Sequence, residues 1–350
     1  MPLRVLVIDD SAVVRVSMMQ ILGHAGMLVS TAVDPIIAME KMRHERPDVV
    51  LLDIEMPRMD GLTFLQKLMA EDPLPVVVCS GLASPGSEVA LNALEEGALD
   101  IVAKPRLGVK GFIEESASRI VNVVRAASQA KVRRRAPRRP RFTRHGPEAV
   151  VPAKRPTLIR ETTHKVVVVG ASTGGTEALR DLLEALPPDA PGFAIVQHMP
   201  EVFTQQFARR LDQVCRVEVK EAEDGDRLAP GRVLIAPGNR HLVVRRSGAL
   251  YVAHVLDGPP VSLHRPSVDV LFRSAAQAAG PNAIGVILTG MGDDGAAGMA
   301  ELKQAGARTI AQDEATSVVF GMPREAIERG CVDQVLPLPR IAPAVLKWAG

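Results

Sequence analysis

The chain has 350 residues, 47% of them apolar and 23% charged, with a formal net charge of +2. That composition excludes an intrinsically disordered or collagen-like protein, and a chain this long is expected to divide into two cores. No apolar run approaches the ~20 residues that span a bilayer, and the paired aspartates of MPLRVLVIDDSAVVR argue against a secretory h-region. A cytoplasmic protein that is not membrane-embedded is expected.

The first third alternates short β-branched runs with helical patterns. RVLVI (4–8), DVVLLD (48–53), PVVVCS (75–80) and ALDIVAK (98–104) read as buried strands. SAVVRVSMMQILGHA, DPIIAMEKMRHE and LTFLQKLMAED repeat their apolar residues near every 3.6 positions, as does a last helix from about Phe112 to Arg125. Strands that are apolar throughout suit a parallel sheet covered on both faces.

The middle of the chain breaks the pattern. Between Lys131 and Arg160 there are eleven Lys/Arg and one acid, with prolines every few residues. This +10 segment accounts for more than the whole net charge, so the flanking parts are acidic on balance. It cannot bury enough apolar surface to offset its ordering entropy and reads as a self-repelling linker over 129–163. Without stacking aromatics it carries no expectation of nucleic-acid binding.

After the linker the alternation resumes. KVVVVGAS, GFAIVQHM, RVLIAPG, AIGVILTGMG and ARTIAQD read as strands with helices between them, and LVVRR with LYVAHVL as an inserted hairpin. Both halves are therefore α/β with mainly parallel sheets. Cys79, Cys215 and Cys331 lie far apart without metal-ligand spacing, so neither a disulfide framework nor a cysteine metal site is expected.

Ligands gather at the carboxyl ends of parallel strands. In the first half those ends carry Asp9 and Asp10, then Asp53, then Ser80, then Lys104. Three carboxylates converging on one sheet edge repel one another unless a cation intervenes, and an all-oxygen donor set suits Mg²⁺. A neutralised Asp53 can attack phosphorus to give an acyl phosphate, with Lys104 and Ser80 placed to contact the added group. IDDSAVVR, LLDIEMPRMDGL, VVVCSG and AKP resemble the response-regulator receiver domain, a doubly wound, flavodoxin-like fold, here over 1–128. The resemblance implies Asp53 as phosphoacceptor, Ser80 and Lys104 as the phosphate switch, and Asp9, Asp10, Asp53 and the carbonyl of Glu55 as Mg²⁺ ligands. It also implies a histidine kinase as phosphodonor.

In the second half, Gly170-Ala171-Ser172-Thr173-Gly174 stands between a predicted strand and a predicted helix. The corner fits a nucleophile elbow; as a dinucleotide loop it has Ser172 where a glycine should admit the pyrophosphate, and it lacks a P-loop lysine. A serine nucleophile needs a base, and the next strand ends in His198. The remaining histidines, His264 among them, fall in linker or hairpin contexts. An orienting acid is supplied by Asp293 or Asp294 after another strand, among glycines whose N–H groups can serve a developing oxyanion. VVVGASTGGTEAL, VQHMP, LIAPGNRHL, HRPSVDVLF and LTGMGDDGAAG resemble the chemotaxis protein-glutamate methylesterase (CheB) family over 164–350. This resemblance implies Ser172 as nucleophile, His198 as base and Asp294 as its partner. It also implies the Met291 N–H as oxyanion donor, Thr173 as a supporting hydroxyl, and no cofactor for ester hydrolysis. Methyl-accepting chemoreceptors are the implied substrate. A DNA-binding response regulator is the rival reading, but nothing after the linker resembles a helix-turn-helix.

Overall fold

The structure is a computed structural model that describes residues 2–56, 60–81, 84–104, 110–130, 132 and 165–350, with backbone alone at 84–88 and 110–116. The basic linker lies outside the described residues, apart from its first positions.

The first unit runs β1 (Arg4–Ile8), α1 (Ala12–His24), β2 (Leu28–Ala32), α2 (Pro35–His44), β3 (Val49–Asp53), α3 (Gly61–Glu71), β4 (Val76–Ser80), α4 (Ser84–Glu95), β5 (Asp100–Ala103) and α5 (Lys110–Ser128). Its five strands pair in parallel in the order 2-1-3-4-5, the flavodoxin-like arrangement. Every residue of β3 and β4 is buried, as their unbroken apolar runs require. Helix starts are fixed locally: Ser11, Asp34 and Asp60 accept hydrogen bonds from the N–H groups of Val14, Ile37 and Thr63. Two elements went unread in the sequence. β2 is half-exposed, so LVSTA lacks the apolar continuity of its neighbours, and α4 follows a Ser/Pro/Gly-rich start.

The second unit contains β6 (Val166–Ala171), α6 (Gly175–Glu184), β7 (Gly192–Gln197), α7 (Glu201–Val214), β8 (Glu218–Glu221) and β9 (Arg232–Ile235). It continues with β10 (His241–Ser247), β11 (Leu250–Leu256), α8 (Val268–Ala279), β12 (Ala283–Ile287), α9 (Ala296–Gln304), β13 (Arg308–Gln312), α10 (Met322–Glu328), β14 (Gln334–Leu336) and α11 (Leu338–Ala349). Seven strands pair in parallel in the order 14-13-12-6-7-9-8, with β10 and β11 as a separate antiparallel hairpin. From β6 the chain winds outward through β7 on one side and later through β12 on the other. The crevice at their carboxyl ends is thus a topological switch point, where open α/β sheets bind ligands.

The two units pack together through α4, which lies against α6 and α7. Leu91 and Leu94 of α4 belong to one apolar cluster with Phe207 and Leu211 of α7. At its rim Glu95 pairs with Arg180 at 3.6 Å and Arg210 at 3.8 Å, and Arg210 also donates to Asn92. Such half-exposed pairs add little stability and mainly set the docking register. Cys79 and Cys331 are buried and Cys215 half-buried; burial pushes the Cys215 thiol up to about 12, so it stays protonated and unreactive.

Candidate active site

Six consecutive buried residues carry β6 to the switch point, where the chain must turn sharply into α6. Gly174 makes that turn at φ +78°, and a Cβ there would lie 2.5 Å from the Val318 side chain. Ser172 sits at the bend. Its N–H donates to Thr289 O at 3.0 Å, and its own carbonyl accepts from Gly175 N and Gln197 Nε2. The backbone is therefore held from three sides, while Ser172 Oγ has no hydrogen-bond partner among the described residues.

His198 follows β7 and is tied to the same corner by its N–H, which donates to Ala171 O at 3.1 Å. Its ring is buried, with Nε2 2.8 Å from Asp294 Oδ2 and Nδ1 without a partner. Asp294 lies in the loop after β12 against the start of α8. There Oδ1 accepts from Ser267 Oγ and Asp269 N, and Oδ2 from Val268 N and His198. Burial alone would raise this carboxyl. The His198 hydrogen bond and charge, with the helix N–H groups, outweigh it and hold Asp294 below the ordinary carboxylate range. An ionised Asp294 has no proton to give, so His198 donates from Nε2, and the neutral imidazole carries its lone pair on Nδ1. Asp293, the other acid of the pair, turns outward to Arg329 at 3.5 Å.

Two backbone N–H groups beside the serine are uncommitted among the described residues, those of Met291 and Thr173. Met291 lines a cavity of about 600 Å³ together with Ser172 and His198. The opposite wall comes from the first unit, with Asp100 of β5 and Arg119 and Asn122 of α5. Contact with the elbow is direct. Thr173 Oγ1 donates to the buried Asp100 Oδ2 at 2.9 Å, and Gly174 N–H to Leu99 O at 3.3 Å. Burial raises the Asp100 carboxyl, against the opposing Arg119 charge and Thr173 hydrogen bond. No hydrogen bond joins Ser172 Oγ to His198 in this docked state, so the proton relay is assembled only from His198 to Asp294.

His264 corrects the sequence reading, which set it aside as a hairpin residue. Its ring stacks on His198 with centroids 3.7 Å apart and planes 8° from parallel. Asp100 was also missed, although a carboxylate inside an apolar strand run was a visible signal.

At the other sheet edge, Asp9, Asp10 and Asp53 bring ligand oxygens within 4.8 Å of one another. Lys104 Nζ reaches Asp53 Oδ2 at 2.6 Å and Asp9 Oδ2 at 2.9 Å, the latter as an ion pair without hydrogen-bond geometry. Burial, with a smaller contribution from the Asp9 charge, raises the Asp53 carboxyl despite its lysine partner. The all-oxygen donor set fits a hard divalent cation. Glu55 N–H donates to Asp53 Oδ1 at 3.2 Å, which brings the Glu55 backbone to the same edge. Ser80 is buried and donates to Gly81 O at 3.3 Å rather than toward Asp53.

Residues 5–109 match the response regulator receiver domain model and residues 167–345 match the CheB methylesterase model. The chain is 68% identical, over 99% of both lengths, to protein-glutamate methylesterase/protein-glutamine glutaminase 1 of Anaeromyxobacter dehalogenans. It is 58% identical, again over 99% of both, to protein-glutamate methylesterase/protein-glutamine glutaminase 3 of Geobacter metallireducens. The Thermotoga maritima CheB methylesterase catalytic domain superposes with a TM-score of 0.52 at 41% identity, covering 53% of this chain and 99% of that one. With a receiver ahead of a seven-stranded catalytic sheet, the chain belongs to the CheB methylesterase family.

Proposed function

We propose that this chain hydrolyses glutamate γ-methyl esters on methyl-accepting chemoreceptors, releasing methanol, and deamidates receptor glutamines by the same acyl chemistry. Residues 1–128 regulate, 129–163 tether and 164–350 catalyse. The carrying observation is the His198–Asp294 pair, set on a helix N-terminus, with an imidazole nitrogen left without a partner and an elbow serine lining the same cavity.

Ser172 Oγ attacks the ester carbonyl as His198 Nδ1 takes its proton. Asp294 stays ionised and stabilises the imidazolium. The tetrahedral oxyanion is received by the Met291 N–H, with the Thr173 N–H as the second donor. Collapse expels the methoxy group, which leaves as methanol with the proton from His198. Water then attacks the glutamyl-serine ester, giving a proton to His198, which returns it to Ser172 Oγ as the glutamate leaves. With a glutamine substrate the leaving group is ammonia.

Regulation follows from the docked first unit. β5 and α5 of the docked first unit wall the cavity around Ser172 and Asp100 holds the Thr173 hydroxyl, which restricts the approach of a receptor segment. Phosphorylation of Asp53, with a histidine kinase as phosphodonor, changes the charge that Lys104 and Ser80 face and biases the units apart. Mg²⁺, when held by Asp9, Asp10, Asp53 and the Glu55 carbonyl, would neutralise the carboxylates and the incoming phosphoryl oxygens. No described helix is long and apolar enough to cross a membrane. The site is read as cytoplasmic, where receptor methylation helices are met.

The test is methanol release from methylated receptors with and without a small acyl phosphate. Wild type is expected to be stimulated and Asp53→Ala to stay at its basal rate; equal stimulation of both would refute the regulatory reading. Asp100→Ala tests the interdomain contact. It strips a buried acceptor from Thr173, weakening the docked state by about 1–2 kcal/mol, equivalent to roughly a 5- to 30-fold shift in the docking equilibrium. Basal release should therefore rise several-fold without phosphodonor, and an unchanged or lower basal rate would count against it.

A further inference from the structure

We infer that His264 is a positioning residue for the reaction, its flat ring fixing the plane of His198 so that one nitrogen stays on Asp294 and the other faces the serine. The inference rests on the catalytic reading above.

Three features of the molecule support it. The first is the stack itself, 3.7 Å between centroids with the ring planes nearly parallel, which leaves the imidazole of His198 little freedom to tilt. Residues 172, 198 and 294 supply the reacting or polarising atoms, but none of them fixes rotation about the Nε2–Asp294 axis. A face-on ring does so.

The second is the turn that delivers His264. Val261 and His264 exchange both backbone hydrogen bonds, at 3.0 and 2.9 Å, around Ser262 and Leu263. Both central residues are left-handed, at φ 51° and 67°, with no glycine to relieve them, and Leu263 is 75% exposed. A two-residue turn of this kind normally takes Asn-Gly or Asp-Gly. Strain of this sort persists where the surroundings demand it, and clusters at functional sites. Here the strained turn gains no burial for Leu263; what it achieves is the placement of His264.

The third is that the turn and the Asp294 loop form one hydrogen-bonded unit. Ser262 Oγ donates to Asp269 Oδ2 at 3.1 Å, while Asp269 Oδ1 accepts from Gly295 N and Gly298 N. The Asp269 N–H donates to Asp294 Oδ1. His264 and the acid that holds His198 are thus carried on the same frame. All of these residues belong to the second unit, so the stack needs no residue of the first unit to be made.

His264 does not act as a second base. Burial, then the neighbouring His198 charge, push it down to about 2, with Arg119 adding to the shift and Asp294 opposing it. A neutral ring can lie against an imidazolium without repelling it.

The experiment separates planarity from bulk in the full chain activated with an acyl phosphate. His264→Phe and His264→Tyr keep a flat ring; His264→Leu and His264→Met fill the space without one. The planar pair is expected within about 3-fold of the wild-type kcat. The non-planar pair should lose 10- to 100-fold in kcat with KM unchanged, the scale of a small misplacement of a reacting group. Nitrogen-15 spectra of His198 should show one tautomer, protonated on Nε2, in wild type and the planar pair, and a mixture in the others. Wild-type kcat and a single tautomer in the non-planar pair would overturn the inference. So would equal damage in all four variants, which would assign the role to the ring nitrogens. The catalytic reading fails separately, if Ser172→Ala retains activity.

Discussion

Ser172→Ala is expected to lower kcat for methanol release by about 10⁶-fold, the scale on which removal of a triad nucleophile acts. The size follows from covalent catalysis: without Oγ no acyl-enzyme forms, and what remains is water attack helped by the Met291 and Thr173 N–H groups. The fold should be unaffected, because every hydrogen bond at Ser172 runs through its backbone. The melting temperature and the docking of the two units therefore serve as controls. Retention of more than about 1% of wild-type turnover with an intact melt would remove Ser172 from the mechanism.

Asp294→Asn is expected to cost about 10⁴-fold in kcat, through the tautomer rather than through lost shape. Oδ1 must go on accepting from Ser267 Oγ and Asp269 N, which fixes the amide orientation and turns the new NH₂ toward His198. His198 Nε2 must then accept, its proton moves to Nδ1, and the serine loses its base. The NH₂ would also oppose the Val268 N–H, which now donates to Oδ2 at 2.8 Å. A stability change with a defined pH dependence follows. Because the folded value of Asp294 is depressed, its contribution is complete above the ordinary carboxylate value of about 3.9. That contribution is lost only as pH falls through the depressed value. The melting gap between wild type and variant should thus close in strong acid. A gap that stayed open in strong acid would contradict the ionised carboxylate.

Legibility in the sequence tracked burial on two faces. β1, β3, β4, β6 and β7 are almost wholly buried, and their unbroken apolar runs could be read directly. β2, β8 and β14 lie at sheet edges, where exposure on one side dilutes the run to LVSTA, EVKE and QVL. The same logic governed the sites. Asp9, Asp53, Ser172, His198 and Asp294 follow strands that announce themselves, so their convergence could be argued from strand ends alone. His264 belongs to no regular element. Its position depends on a turn without glycine, and nothing in VSLHRP signals two left-handed residues. Asp100 reads as strand in isolation, and its role exists only because another unit docks on it.

The missing link between Ser172 Oγ and His198 sets the chemical temper of the resting molecule. An alcohol with no base in contact is scarcely more nucleophilic than solvent. Electrophilic poisons that inactivate serine hydrolases would find little to react with until the signal arrives. Idle copies are shielded from suicide chemistry and from squandering turnover on stray esters alike. In a cell, vulnerability and output would rise together, each reporting how much of the population has been switched on.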